Sequence, residues 1–335
     1  MSTIYDIARA AGVSASTVSR VFSGQGSKQN QELVFRVAKQ MNFAINDSAK
    51  ILKTKKTNRV MLAVPDICNP FYFKMIEGAN GVFEQSGYLF MLYYTKHSLE
   101  EELKALQLLN QKVVDGMIMV SFHFSKENIG VINQSNYPVV LTNRYDSPDG
   151  QDGFDYVYVD THLGIKLATR HLIELGHRKI AYFGGSIREQ TGLERYLGYS
   201  DALREASFPL DNSLVYEANY SEREGHASMK ALLERHRDVT AVVTSNDLVA
   251  LGAMTACTEE NIAIPGDIAI TGMDDTELSN RVTPRLTTVA MQEGEIGRLA
   301  ATILMERIAD ASVPRRQIRL APELIVREST ARAQS

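Results

Sequence analysis

The sequence SASTVSR, residues 14–20, is the stretch around which the first part of the chain is organised. Ser14 is a favourable N-cap for a helix that starts there, and Gly12 ends a preceding helical pattern. That earlier pattern covers residues 3–11, with Thr3 as its N-cap. Two short helices joined by a glycine-containing turn predict a helix-turn-helix.

The predicted second helix has two different faces. Val18, Val21 and Phe22 fall on one stripe and are expected to face inward. Ser16 and Arg20 are four residues apart and share the opposite face. An outward face that is polar and basic is typical of a recognition helix in the major groove of DNA.

Charge is unevenly distributed along the chain. Residues 1–60 contain ten Lys and Arg residues against three Asp and Glu residues, a net charge of +7, whereas the whole chain carries −4. The remainder therefore carries −11. A basic N-terminal region on an acidic body is typical of a small domain that neutralises DNA phosphates. A solvated charged face is the alternative interpretation of the same charges.

Two further segments complete the N-terminal region. Residues 31–41 have apolar side chains at helical spacing and predict a third helix. Residues 46–56, NDSAKILKTKK, predict a linker whose middle is too short for a stable isolated helix. This linker either becomes ordered against DNA or is a flexible basic tether, and its composition alone favours the tether.

From residue 59 onwards, apolar runs of four to seven residues alternate with helical patterns. Such runs include RVMLAVP at residues 59–65, GMIMVSF at 116–122 and KIAYFGG at 179–185. Short apolar strands separated by helices predict parallel sheets that are covered on both faces. Because the pattern repeats about twice, the predicted fold class is a small all-α headpiece followed by an α/β core of two doubly wound lobes.

Several classes of protein have no support in the sequence. There is no apolar run of 18 residues to span a membrane, and the N-terminus does not have the pattern of a secretory signal. Two cysteines, Cys68 and Cys257, give no disulfide framework and fit a cytoplasmic location. No nucleotide-binding, metal-binding or nucleophile–base motif is found, so we expect neither an enzyme nor a cofactor or metal site.

Polar and aromatic residues follow the predicted strands. Ligands of open α/β sheets bind beyond the carboxyl ends of the strands, and a sugar suits a site of hydrogen-bonding side chains and aromatic faces. Each such residue also has a local interpretation, and Asp247 is expected to be the N-cap of the helix that follows it. The predicted effector-binding residues are Phe71, Tyr72, Ser121, Arg144, Glu189, Thr191, Arg195, Tyr220, Asn246 and Asp274.

The stretch TIYDIARAAGVSASTVSRVFSG, residues 3–24, resembles the DNA-binding headpiece of the LacI/GalR transcriptional regulators. The resemblance continues into the family's periplasmic-binding-protein-like core through the stretches at residues 69–79, 171–185, 194–203, 244–254, 270–279 and 285–298. It implies the following domains: a headpiece at residues 1–45, a hinge helix and linker at 46–58, an N-lobe at 59–160 plus 291–320, and a C-lobe at 161–290 plus 321–335.

The resemblance also implies how DNA is bound. In the family's hinge helix a leucine wedges between base pairs in the minor groove, and Leu52 holds that position here, with Ala49 beside it. In the major groove, Arg20 is expected to contact guanine and Ala15 a thymine methyl group. The predicted DNA-binding residues are Thr3, Tyr5, Ser14, Ala15, Ser16, Thr17, Ser19, Arg20, Ser27, Asn30, Ala49, Leu52 and Lys53.

One position departs from the family's pattern. Where many relatives carry Gln after the strand LTTV, this chain has Met291, with Gln292 one place further on. Either a hydroxyl contact is lost or the local register differs. Among the predicted pocket residues we expect Arg195 and Asp274 to matter most to the effector.

The function implied by the resemblance is a cytoplasmic transcriptional regulator, usually a repressor. It is expected to bind a near-palindromic operator as a homodimer, and to respond to a small effector, most often a sugar, held between the lobes. A dimer is favoured over a tetramer because no leucine heptad follows the core before Ser335. The alternatives are a solute-binding protein without catalytic activity and a sugar-metabolising enzyme of the same lobed shape.

Overall fold

The computed structural model describes residues 3–22, 25–43, 56–121, 126–135, 137–144 and 153–330. The chain divides into two compact units, residues 1–57 and residues 58–335. We call the first unit the headpiece and the second the core. In the described part of the chain, no helix is both long enough and apolar enough to cross a membrane.

The headpiece consists of three helices in its described residues: α1 (Ile4–Ala11), α2 (Ala15–Phe22) and α3 (Lys28–Gln40). The predicted cap of α1 is confirmed, because the Asp6 amide donates to Thr3 Oγ1 and the Thr3 amide donates to Asp6 Oδ2. Helix α3 begins three residues earlier than predicted, because the Ser27 side chain caps it by accepting from the Asn30 amide.

A small apolar core holds these helices together. Ile7, Val18, Val21 and Val34 are buried in it, and the periodicity of α2 predicts the burial of Val18 and Val21. Phe22 packs at the edge of this core, where its ring stacks on the ring of Phe43 with 5.6 Å between the two centroids. A core of this size gives a three-helix unit limited stability of its own.

The core alternates strands and helices through most of its length. Its strands are β1 (Arg59–Val64), β2 (Leu89–Tyr94), β3 (Gly116–Met119), β4 (Val139–Leu141), β5 (Asp155–Val159), β6 (Ile180–Gly184), β7 (Val215–Glu217), β8 (Ala241–Thr244), β9 (Ala269–Asp274), β10 (Thr287–Ala290), β11 (Gln317–Leu320) and β12 (Glu323–Ile325). Its helices are α4 (Phe71–Gln85), α5 (Leu99–Asn110), α6 (Lys126–Gln134), α7 (Thr161–Glu174), α8 (Gln190–Glu205), α9 (Glu222–Arg235), α10 (Asp247–Glu259), α11 (Glu277–Arg281) and α12 (Glu293–Ala309).

These strands form two six-stranded sheets. The first has the order β11-β5-β4-β3-β1-β2 and the second the order β12-β10-β9-β8-β6-β7. Neighbouring strands are parallel except at β12, which pairs with β10 in the antiparallel sense. The predicted fold class, a helical headpiece followed by two doubly wound lobes, is therefore confirmed.

Three crossings connect the two sheets. The chain leaves the first sheet after β5, returns to it after β10 through α12, and crosses again between β11 and β12. Helix α7 packs against the second sheet and α12 against the first. Each sheet is therefore built from two separate parts of the sequence, and the crossings bring the carboxyl ends of the strands in both sheets toward one region.

Candidate functional site

The exposed face of α2 is the first candidate site. Ser16 and Arg20 are exposed on this helix while Val18 and Val21 are buried, so the predicted division into two faces is confirmed. Within the described headpiece, no carboxylate pairs with the Arg20 guanidinium. The helix therefore presents a cationic group that is free to meet the edge of a base.

Several other predicted DNA-binding residues fix the starts of helices. Ser14 Oγ accepts from the Thr17 amide at 3.1 Å, and it also lies within hydrogen-bonding distance of the Ser16 and Thr17 hydroxyls. Thr3 and Ser27 cap α1 and α3 in the same way. The other members lie as follows: Tyr5 is exposed, Ala15, Ser19 and Asn30 are half-buried, and Ala49, Leu52 and Lys53 lie outside the described residues.

A cavity of about 270 Å³ in the core is the second candidate site. Its wall contains most of the predicted effector-binding residues, from elements of both sheets: Phe71, Tyr72, Arg144, Thr191, Arg195, Tyr220, Asn246 and Asp274. This volume is slightly below the roughly 300–1,000 Å³ typical of pockets for drug-sized ligands, and it suits a small ligand.

Two predicted residues do not reach the cavity wall. Ser121 is buried beside α5, where its hydroxyl donates to Glu102 Oε2 at 2.8 Å. Glu189 is the residue before α8, and the residues of this helix that line the cavity are Thr191, Glu194 and Arg195. A position near a strand end was therefore not sufficient to bring these two side chains into the cavity.

Arg195 and Asp274 are both almost fully buried at the cavity wall, with 8% and 3% of their surfaces exposed. The Arg195 Nη1 donates to the Ser245 carbonyl at 3.0 Å, while its Nε has no partner among the described residues. No described group donates a hydrogen bond to the Asp274 carboxylate. Unpartnered buried polar atoms that face a cavity are groups that a polar ligand would satisfy.

Burial raises the pKa of Asp274 well above its ordinary value, the charge of Asp247 raises it further, and Arg195 opposes both. Burial likewise raises the pKa of Asp247 to about 6. Asp247 accepts hydrogen bonds from the Thr276 amide and hydroxyl and from the Thr288 hydroxyl. These bonds fix the Asp247 carboxyl group near enough to Asp274 to raise its pKa.

The predicted role of Asp247 as a helix N-cap is wrong. Asn246 caps α10 instead, because its Oδ1 accepts from the Val249 amide at 2.9 Å. The Asn246 amide group also donates to the Tyr220 carbonyl at 3.1 Å. Asn246 therefore fixes both the start of α10 and the backbone at Tyr220, whose ring lies in the cavity wall.

The register after β10 is settled by the structure. Met291 is 3% exposed and lies in the cavity wall. Gln292 has a left-handed φ of 51° and points elsewhere, with its Nε2 donating to the Ala321 carbonyl at 2.6 Å. The thioether of Met291 thus stands at the cavity, and the Gln292 amide supports the crossing between β11 and β12.

Other wall residues were not among the predicted effector-binding residues. They are Asp66, Asn69, Met75, His97, Val120, Thr142, Asn143, Tyr158, Val159, Thr161, Glu194, Asn219, Ser221, Met291 and Ile296. Glu194 is one such polar residue, and its carboxylate accepts from Thr161 Oγ1 at 3.0 Å and from Gln190 Nε2 at 3.1 Å. Thr161 begins α7 two residues after the end of β5. Its position near the carboxyl end of a strand could therefore have identified it as a wall residue.

Together, a helix-turn-helix headpiece and a core of two parallel-dominated sheets around a cavity define a class of DNA-binding regulators with a periplasmic-binding-protein-like core. Comparison with known families agrees with this class. Residues 3–46 match the profile "Bacterial regulatory proteins, lacI family", and residues 169–330 match "Periplasmic binding protein-like domain".

Similar proteins extend this match over nearly the whole chain. The HTH-type transcriptional repressor PurR of Haemophilus influenzae is 32% identical over 337 residues, which cover 98% of each chain. The ribose operon repressor of Halalkalibacterium halodurans is 33% identical over 98% of this chain and 97% of its own. The chain therefore belongs to the LacI family and is a non-catalytic, DNA-binding transcriptional repressor of that family.

Solved structures agree with this assignment. The lac repressor dimer bound to operator and the anti-inducer ONPF superimposes with a TM-score of 0.87 at 26% identity, covering 98% of this chain and 99% of that one. The complex of the transcriptional regulator CelR with cellobiose gives a TM-score of 0.74 at 30% identity and covers 98% of this chain and 100% of that one. A LacI family regulator from Enterococcus faecium with bound ribose gives 0.74 at 26% identity over 82% of this chain and 100% of its own.

Proposed function

We propose that a small sugar or sugar derivative binds in the core cavity and sets the affinity of this repressor for its operator. The observation that carries the proposal is the pair Arg195 and Asp274, two buried ionisable side chains at the wall of one cavity. The Arg195 Nε has no partner among the described residues, and no described group donates to the Asp274 carboxyl group. A hydroxyl group both donates and accepts hydrogen bonds, so neighbouring sugar hydroxyls satisfy both side chains.

Aromatic side chains support the choice of a sugar. Phe71, Tyr72 and Tyr220 lie at the cavity wall, and aromatic faces pack well against the C–H faces of a sugar ring. Two structural neighbours were solved with ribose and with cellobiose. Both facts favour a carbohydrate over other small polar molecules.

The effector would act by holding the two lobes in one arrangement. Its binding residues come from both sheets, so a bound ligand contacts both lobes at once. Beside the cavity, the Lys74 Nζ on α4 donates to the Asp275 carbonyl after β9 at 3.3 Å, which is a direct contact between the lobes. Regulation requires the ligand to bind two lobe arrangements with unequal affinity.

On the DNA side, Arg20, Ser16 and Ala15 would meet base edges, while exposed Lys and Arg residues around them hold phosphates. A homodimer would place two headpieces on a near-palindromic operator in the cytoplasm. A dimer is supported by the lac repressor neighbour, which was solved as an operator-bound dimer. It is also supported by the edge strand β2, which exposes Leu89 and Leu92.

A thermal-shift screen of the full-length protein against a panel of sugars tests the proposal, because a ligand of the folded state raises its melting temperature. We expect at least one sugar to raise the melting temperature of the wild type, and Asp274→Ala to abolish this rise. Asp238→Ala, which removes an exposed carboxylate on the surface, is the matched control and should behave as the wild type. A rise that persists unchanged in Asp274→Ala would contradict the assignment of the cavity.

A further inference from the structure

The cavity has chemically distinct walls. One group of residues, which we call the apolar wall, consists of Phe71, Met75, Val120, Met291 and Ile296. These residues belong to one continuous hydrophobic cluster, and all except Phe71 are buried. They come from α4, from the residue after β3 and from α12, except for Met291, which directly follows β10 of the second sheet.

The rest of the lining is mostly polar or aromatic. It comes from both sheets and includes Arg195, Asn246 and Asp274 from the second sheet and Asp66, Asn69 and Arg144 from the first. A ligand that lies between these walls has hydrogen-bonding partners along one edge and an apolar surface along another. The apolar wall is therefore the part of the cavity that discriminates against a polar substituent.

Met291 is the decisive residue of the apolar wall. A hydroxyl group of a ligand would bind better to the side-chain amide of the next residue, Gln292. That amide does not face the cavity, because it donates a hydrogen bond to the Ala321 carbonyl. The backbone fixes this choice, because Gln292 adopts a left-handed φ of 51° as the chain enters α12. A hydroxyl group placed against Met291, Met75 and Ile296 would lose water without gaining a partner.

We propose that the effector is a monosaccharide with an apolar edge, a methyl group or an unsubstituted ring carbon where the parent hexose carries a hydroxymethyl group, and that this edge packs on Met291. The inference rests on the proposed function, since it concerns the same cavity. The volume of about 270 Å³ matches a ligand with a single ring. The hydroxyl groups of the ring face Arg195 and Asp274.

Isothermal titration calorimetry on the full-length protein tests this inference with matched sugars. Each of D-glucose, D-galactose and D-mannose is compared with its methyl analogue, in which the hydroxymethyl group is a methyl group, and with its pentose, respectively D-xylose, L-arabinose and D-lyxose. In the series that binds, we expect the methyl analogue or the pentose to bind about tenfold to a hundredfold more tightly than the hexose, the range by which an apolar pocket rejects an added hydroxyl.

Two variants of Met291 test whether the preference for the methyl analogue or the pentose arises at the apolar wall. Met291→Gln places an amide where the thioether lies and should abolish or reverse the preference. Met291→Leu keeps the wall apolar and should restore the preference for the apolar edge. Retention of the preference in Met291→Gln would overturn the assignment to this residue, and loss of it in Met291→Leu would do the same.

The outcomes separate this inference from the proposed function. If the parent hexose binds most tightly and changes operator affinity, the inference is overturned and the proposed function stands. If no member of any series binds, the inference is overturned, whereas the choice of a sugar effector is overturned only if the wider thermal-shift panel also finds no ligand.

Discussion

The guanidinium group of Arg195 lies over the ring of Tyr220, with 5.0 Å between the guanidinium carbon and the ring centroid. Tyr220 holds this position with a left-handed φ of 57° and with its carbonyl bonded to Asn246. Behind the ring lies Gly185, where a Cβ atom would come within 2.2 Å of the Tyr220 side chain. The two wall residues are thus arranged before any ligand binds, which reduces the entropy lost on binding.

Gly185→Ala should therefore push the Tyr220 ring from its place and weaken effector binding. We expect a loss of roughly tenfold in effector affinity, equivalent to about 1.4 kcal/mol, with operator binding in the absence of effector unchanged. Titration calorimetry with the sugar found in the thermal screen measures this loss. Gly81→Ala is the matched control, because a Cβ at that helical position meets no atom within 4 Å. Equal effector affinity in the two variants would contradict the role of Gly185.

A second prediction concerns pH and Glu293, the buried first residue of α12. The pKa of Glu293 is raised to about 7, mainly by burial and to a smaller extent by the charges of Asp247 and Asp275, against the opposing effects of a backbone hydrogen bond and of Lys74. The folded chain therefore binds more protons at this site than the unfolded chain between about pH 4.5 and pH 7. The free energy of unfolding falls as the pH rises through that window, and the full loss is present above pH 7.

Glu293→Gln removes this penalty. At pH 8 we expect the variant to gain free energy of unfolding on the order of 3 kcal/mol, and we expect the gain to shrink toward zero as the pH approaches 4.5. Urea unfolding of the core at pH 8 and pH 5 measures the difference. Glu295→Gln, at an exposed position on the same helix, should show no such gain at pH 8. A Glu293→Gln gain that is independent of pH would refute the proposed cause.

A third prediction concerns the buried ion pair that joins α12 to the first sheet. The Nε and Nη2 of Arg307 each donate to Asp155 at 3.0 Å, and both side chains are almost completely buried. Asp155→Ala leaves the guanidinium without its charge partner, so we expect a loss of about 3–5 kcal/mol in the free energy of unfolding. Urea unfolding midpoints at constant pH measure this loss.

The control for Asp155 is an exposed pair on the same helix. Glu295→Ala breaks the bond between Glu295 and Arg298 and should cost less than about 1 kcal/mol, because solvent screens that pair. Comparable losses in the two variants would show that burial does not set the strength of the Asp155 pair.

A fourth prediction concerns base recognition by Arg20. Arg20→Ala should remove about 1–3 kcal/mol of discrimination between the preferred duplex and an unrelated duplex. Arg36→Ala, which removes an exposed charge on α3, should weaken binding to both duplexes by a similar factor. Fluorescence anisotropy at fixed salt measures the four affinities. If Arg20→Ala and Arg36→Ala behave alike, Arg20 contributes charge alone.

Local patterns predicted the fold well. The stripe of Val18 and Val21 was visible because helical spacing depends on neighbouring residues, and the strands were visible as short apolar runs. Arg195 and Asp274 were brought to one cavity because parallel strands end at the same edge of a sheet. The binding role of those two residues remains a prediction.

Features that depend on distant partners were missed. Asp247 and Asn246 are adjacent, and the hydroxyl groups that hold Asp247 come from Thr276 and Thr288, far away in sequence. Glu293 resembles an ordinary acidic residue in the first turn of a helix, and only the packed structure buries it. Whether Met291 or Gln292 faces the cavity depends on the backbone conformation between β10 and α12, which a single sequence does not determine.

Competition binding tests whether the headpiece selects a specific duplex and whether the core cavity controls that selection. The full-length protein is given the duplex it enriches from a random library, together with bulk competitor DNA, with and without the sugar that stabilises it most. We expect a clear preference for the enriched duplex and a change of about tenfold or more in the affinity for that duplex when the sugar is added. No preference for any duplex over the competitor, with or without sugar, would contradict this expectation.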